Sequence, residues 1–224
     1  MWFGIFFGMM LMNQVGNLPS GVQVNAHRYV ALGDSYTICE GASVVESWPV
    51  ILTKHLNAAG VNIELIANPS RTGWTTRDLI DRELPVFDES GADFVTVCIG
   101  VNDWVRGIDK KEFQKNLKMI LDHLQGKLPD KSRIILLTIP DFSVAPSGAR
   151  YTGGRDATAG ISAFNEVIMN EARVRKLKTV DLFEPSKAMQ SDATLVAADG
   201  LHPSAKEYAI WEKLILPVAV SLLK

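Results

Sequence analysis

Neither sign of charge dominates this chain: Lys and Arg number 23 against 25 Asp and Glu, for a net charge of −2. No long-range field is available to gather phosphate backbones, and no Lys/Arg cluster interleaves with aromatics, so nucleic acid is not an expected partner. Cysteine is scarce as well. Cys39 and Cys98 are far apart and form no C-x-x-C, which implies neither a zinc knuckle nor a disulfide framework and leaves the redox compartment open. The sequence also lacks G-x-S-x-G, H-E-x-x-H, the P-loop and G-x-G-x-x-G. The α/β-hydrolase elbow, zinc-protease and nucleotide-binding readings thereby lose their best support.

With 47% hydrophobic and 21% charged residues in 224, the composition is that of a globular protein able to bury a core, and the length favours one domain over two. The uncharged run Met1–Met12 is too short to span a bilayer, which takes about 20 apolar residues. A polar stretch and Val24-Asn25-Ala26 follow it, as the cleavage site follows the apolar region of a secretory signal, although no Lys or Arg precedes the run. The expectation is a signal peptide or N-terminal extension over 1–26 and a single domain over 27–224. The mature chain would be secreted or periplasmic and without a membrane span; a retained extension would leave it cytoplasmic.

From His27 onward, short apolar runs alternate with stretches of helical period. Tyr29–Leu32, Asn62–Ala67, Phe94–Ile99, Arg133–Ile139 and Thr179–Phe183 are the predicted strands. Glu46–Ala59, Thr75–Arg82, Lys110–Gln125, Thr158–Arg175 and a segment from Pro203 towards Leu223 are the predicted helices. Five such alternations imply parallel strands joined by right-handed crossovers, hence a three-layer α/β/α sandwich around a five-stranded parallel sheet. Pro140–Asp156 and Glu184–Asp199 are too long to be simple turns, and long loops in compact domains are usually functional.

Ligands of open parallel sheets bind outside the carboxyl ends of the strands. Gly33-Asp34-Ser35 follows the first predicted strand, Thr72-Gly73-Trp74 the second, Gly100-Val101-Asn102-Asp103 the third and Asp199-Gly200-Leu201-His202 the fifth. Acyl transfer needs a nucleophile, a base, a group that orients the base and donors for the developing oxyanion. Ser35 supplies a hydroxyl, His202 an imidazole, and Asp199, three residues earlier, an acceptor for its second nitrogen. The Ser35 and Gly73 N–H groups and the Asn102 amide are the candidate oxyanion donors. Asn102 and Asp103 also suit an Asx turn closing the third strand. Asp34, Trp74, Asp103 and Trp104, beside these residues in the chain, are the candidate substrate-pocket residues, with loop packing the equal alternative for both tryptophans. His55 and His123 fall within helical patterns and are expected to be structural.

Gly33-Asp34-Ser35, Gly73, Gly100-x-Asn102-Asp103 and Asp199-x-x-His202, in this order and each after a predicted strand, resemble the four blocks of the GDSL/SGNH hydrolase family. Ala31–Thr37, Thr72–Thr76 and Asp199–Ser204 are similar to its branch of small bacterial-type esterases. The resemblance implies a flavodoxin-like fold, a Ser35 nucleophile, a His202 base oriented by Asp199, and an oxyanion hole of Ser35, Gly73 and Asn102. It implies no metal or organic cofactor. The expected function is a serine esterase or acylhydrolase acting on a small-molecule, glycan or lipid ester, with a short acyl group favoured. A carbohydrate O-acetylesterase or acetyltransferase is the variant of the same chemistry, and a non-catalytic flavodoxin-like binding module the alternative from another class. Cys39 and Cys98 would follow adjacent first and third strands, so their pairing stays open. The sequence does not speak to oligomeric state.

Overall fold

The computed structural model describes residues 26–224 and Met1, so the expected signal region lies outside the described residues. Five parallel strands, β1 (His27–Gly33), β2 (Ile63–Ala67), β3 (Phe94–Cys98), β4 (Ile134–Leu137) and β5 (Lys178–Val180), form one sheet in the order β2-β1-β3-β4-β5. The helices are α1 (Ser35–Ile38), α2 (Trp48–Ala58), α3 (Thr76–Asp78), α4 (Leu84–Ser90), α5 (Val101–Val105), α6 (Lys110–Lys127), α7 (Ala157–Arg175), α8 (Phe183–Ser186) and α9 (Ala205–Leu223).

From β1 the chain moves one way to β2, then reverses past β1 to β3. Right-handed crossovers on both sides of that reversal place α2 on one face of the sheet and the later crossover helices on the other. Accordingly α2 packs on α9, and α6 on α7. The result is the expected flavodoxin-like sandwich. Strands β3 and β4 are buried at every position, as strands covered on both faces must be. Trp48, Trp211, Phe94 and Phe113 are among the largest side chains sealed in the core. Among the described residues, no helix is long and apolar enough to cross a membrane.

Three elements depart from the sequence expectation. The predicted helix at Thr75–Arg82 runs on to Ser90 because it passes Pro85 by widening into a π turn over Leu79–Glu83. Pro85 has no N–H for the preceding turn, and the Leu84 N–H reaches back to the Leu79 carbonyl. The last helix begins at Ala205 and not at Pro203: Ser204 is its cap, while Pro203 pairs with Val196 in an antiparallel bridge. The segment from Glu46 divides at Ser47 into a 3-10 turn (Val44–Glu46) and α2.

Gly160, in the first turns of α7, lets the Trp104 indole lie against the helix: a Cβ there would fall 1.9 Å from Trp104 Nε1. Alanine at an ordinary helical position would gain up to about 1 kcal/mol over glycine, but overpacking a filled site typically costs about 1–3 kcal/mol. Gly160→Ala is therefore expected to lower the thermal midpoint by several degrees. An unchanged or raised midpoint in a melting experiment contradicts this packing.

Candidate active site

The site begins where β1 stops. Gly33 is the last rung of the β1–β3 pairing, opposite Cys98, and its φ of +156° already lies in the region that favours glycine. Any Cβ there would come within 2.2 Å of both the Cys98 carbonyl oxygen and Thr37 Oγ1. Asp34 then caps α1, its Oδ1 accepting the Tyr36 N–H at 3.0 Å. Ser35 becomes the first helical residue, and the Trp48 indole N–H anchors the short helix through the Tyr36 carbonyl at 2.8 Å. Asp34 is 1% exposed. Burial pushes its carboxyl up to about 8, with the charge of Asp103 adding to the rise against the Tyr36 N–H.

The second element is the turn before α9. The Val196–Pro203 bridge and the Ala197 N–H donated to the His202 carbonyl at 2.8 Å close the loop. Inside it, Asp199 Oδ1 accepts the N–H groups of Leu201 at 2.8 Å and His202 at 3.0 Å. Its Oδ2 lies 2.6 Å from His202 Nδ1. One carboxylate thus fixes both the turn and the orientation of the ring within it: the Nδ1–Asp199 contact leaves Nε2 as the nitrogen available to other groups. Burial pushes the Asp199 carboxyl up, but the His202 ring, the two N–H groups and the His202 charge together hold it below the ordinary carboxylate range. The Tyr36 ring meets the His202 ring edge-on, centroids 6.1 Å apart.

The third element comes from the ends of β2 and β3. Asn102, in α5, donates from Nδ2 to the Trp74 carbonyl at 2.9 Å, and Arg106 donates to the Gly73 carbonyl at 2.6 Å. The Gly73 loop and α5 are thereby tied together. Ser35, Gly73, Asn102 and His202 converge on one cavity of about 190 Å³. Ser35 and His202 form no direct hydrogen bond among the described residues.

The expected pocket residues are placed elsewhere. Asp34 is the α1 cap, and Asp103, wholly buried, accepts the Thr76 N–H at 2.9 Å and the Thr76 hydroxyl. Trp104 packs against Gly160 and Phe142, and Trp74 lies beside Arg71 and Arg82. None of the four lines the cavity. Its apolar wall is Val101, Val105, Phe142, Tyr151 and Leu201. Adjacency to the motifs was a misleading signal, because successive residues of a helix face different directions. The available signal was helical spacing, since Val101 and Val105 sit four apart on one face of α5. His55 and His123 bond Glu212 and Asp88 and are absent from the cavity lining. Cys39 and Cys98 are buried free thiols.

Comparisons with known proteins place the chain in a family. The family model described as GDSL-like lipase/acylhydrolase matches residues 31–210. Esterase TesA of Pseudomonas aeruginosa is 26% identical over 186 residues, 81% of this chain and 82% of that protein. Among solved structures, a lipase/acylhydrolase from Enterococcus faecalis superposes with a TM-score of 0.72 at 25% identity, covering 88% of this chain and 97% of its own. An acetylxylan esterase from Geobacillus stearothermophilus shares the fold, with a TM-score of 0.68 at 20% identity over 85% of this chain and 93% of its own. The chain belongs to the GDSL-like lipase/acylhydrolase family and is a carboxylic ester hydrolase.

Proposed function

We propose that the enzyme hydrolyses small, uncharged esters with short acyl groups through an acyl intermediate on Ser35. One observation carries the reading: Ser35, Gly73, Asn102 and His202 share a cavity whose lining, His202 apart, contains no ionisable group that is charged at neutral pH. His202 Nε2 takes the Ser35 proton as Oγ attacks the ester carbonyl, and Asp199 stabilises the resulting imidazolium. The N–H groups of Ser35 and Gly73 and the Asn102 amide receive the oxyanion. His202 then protonates the departing alcohol, and water, activated by the same ring, releases the acid from Ser35. The cavity is small, about 190 Å³. That suits a short chain, and the absent cations disfavour phosphate-bearing esters.

A fluorophosphonate probe is expected to label Ser35 stoichiometrically, and Ser35→Ala to lower kcat by on the order of 10⁶. A variant that keeps more than a tenth of wild-type turnover refutes the assignment, and a wild-type chain that takes no label points to a binding module. On p-nitrophenyl esters, kcat/KM should peak between acetyl and about hexanoyl. Each buried methylene adds about 0.8 kcal/mol, roughly fourfold, only until the cavity is full. Continued gain through decanoyl means a longer groove.

The Asp199 carboxyl, held below the ordinary carboxylate range by His202 and its own turn, stays ionised throughout the neutral range. Protonation of the base alone then limits the reaction on the acid side, so kcat/KM should rise from pH 5 towards pH 8. A steady fall over that interval, with the fold shown intact by circular dichroism, contradicts the role given to His202.

A further inference from the structure

Strand β2 leaves the sheet at Ala67, whose partner on β1 is Val30, so β1 runs three residues past its last rung on that side. The Gly33 N–H is taken instead by Glu83 Oε2 at 2.9 Å. Glu83 is wholly buried and stands at the end of the π turn forced by Pro85, a helix irregularity frequent at functional sites. Its other oxygen, Oε1, has no partner, and neither has Asp34 Oδ2 on the neighbouring residue of the nucleophile turn. No cation is bonded to either carboxyl among the described residues. Burial drives the Glu83 carboxyl well up, and the charges of Asp34 and Asp78 add to the rise against the Gly33 N–H. A buried acid with no counter-ion is costly, and a single amide donor can be satisfied by a neutral side chain at lower cost. The place of this one, on the backbone that carries Ser35, needs a reason beyond packing.

We infer that Glu83 is a positioning residue of the hydrolytic reaction: its buried carboxyl holds the Gly33 amide and so fixes the strained turn that presents Ser35 to the ester. The inference rests on Ser35 being the nucleophile. Without the Glu83 acceptor, the Gly33 peptide can rotate and carry Ser35 Oγ away from the oxyanion donors. A misplacement of about 1 Å costs roughly 100-fold in rate. Substrate contacts in the cavity wall would be untouched, so the effect falls on kcat and on the reactivity of the serine, with KM preserved.

The test compares Glu83→Gln, which keeps a carbonyl acceptor at the same reach, with Glu83→Met, which removes it, and Glu83→Asp, which withdraws it by one methylene. Turnover of p-nitrophenyl acetate and the second-order rate of fluorophosphonate labelling are measured on each. The Gln variant is expected within about threefold of wild type in both. The Met and Asp variants should fall together in kcat and labelling by roughly 10- to 100-fold, with KM within about twofold. A folded Met variant with a lower thermal midpoint but wild-type kcat and labelling overturns the inference, since that is what a purely structural bond would give. Should the Met variant fail to fold, the Gln and Asp pair decides: a Gln variant more than tenfold impaired, or an Asp variant at full activity, overturns it. Labelling of the wild-type enzyme at a residue other than Ser35 refutes the nucleophile assignment itself, whatever the Glu83 variants do.

Discussion

The close passage of Gly33 past the Cys98 carbonyl governs the reacting end of this molecule. Two parallel strands can stay paired up to their last residue and then diverge only if the departing backbone clears its neighbour, and with a Cβ at 2.2 Å from that carbonyl oxygen it could not. The clearance brings a cluster of polar groups into the protein interior: Asp34, Thr37, Thr76, Glu83 and Asp103 are all buried behind the cavity. Each is tied to a strand end or a helix start, as Glu83 is to Gly33, Asp34 to Tyr36 and Asp103 to Thr76. Buried polar groups of this kind cost stability unless bonded, and bonded they admit one arrangement of the chain. The strand-end loops are therefore held by side chains where no sheet remains to hold them.

On the far side of the cavity the problem is different, because α5 has only five residues and a helix that short cannot sustain itself. It is held from outside. Arg155, at the end of the long loop after β4, donates to the Trp104 carbonyl at 2.8 Å and the Val105 carbonyl at 2.9 Å, and lies 4.0 Å from the Trp104 ring centroid. A cation on the last carbonyls of a helix completes its hydrogen bonding and complements its dipole. The same loop contributes Phe142 and Tyr151 to the wall, so the segment that shapes the cavity also steadies the helix carrying Asn102.

The strands and the four polar clusters were legible in the sequence because each rests on local pattern: β-branched runs, helical period, and small or polar residues directly after a strand; the reversal of strand order was legible only through the family resemblance. Asp199 and His202 are three residues apart, so one turn suffices to join them. What escaped depends on contacts between distant segments. Glu83 looks like any charged residue of an amphipathic helix until the π turn directs it at Gly33, fifty positions away. Trp104 follows the Asn102-Asp103 pair yet turns from the cavity to Gly160 in another crossover helix. Tyr151 lies in a loop with no periodicity from which its direction could be read.

The cavity's lack of fixed charge bears on the end of the catalytic cycle as much as on its start. An uncharged ester, the substrate proposed for this site, would desolvate at little cost among Val101, Val105, Phe142 and Leu201. The acid formed from it ionises at once, and an anion in such surroundings finds no arginine or lysine among the lining side chains to replace its water. Hydrolysis thus converts a molecule that the wall accommodates into one that the solvent reclaims, and the chemistry itself empties the site for the next turnover.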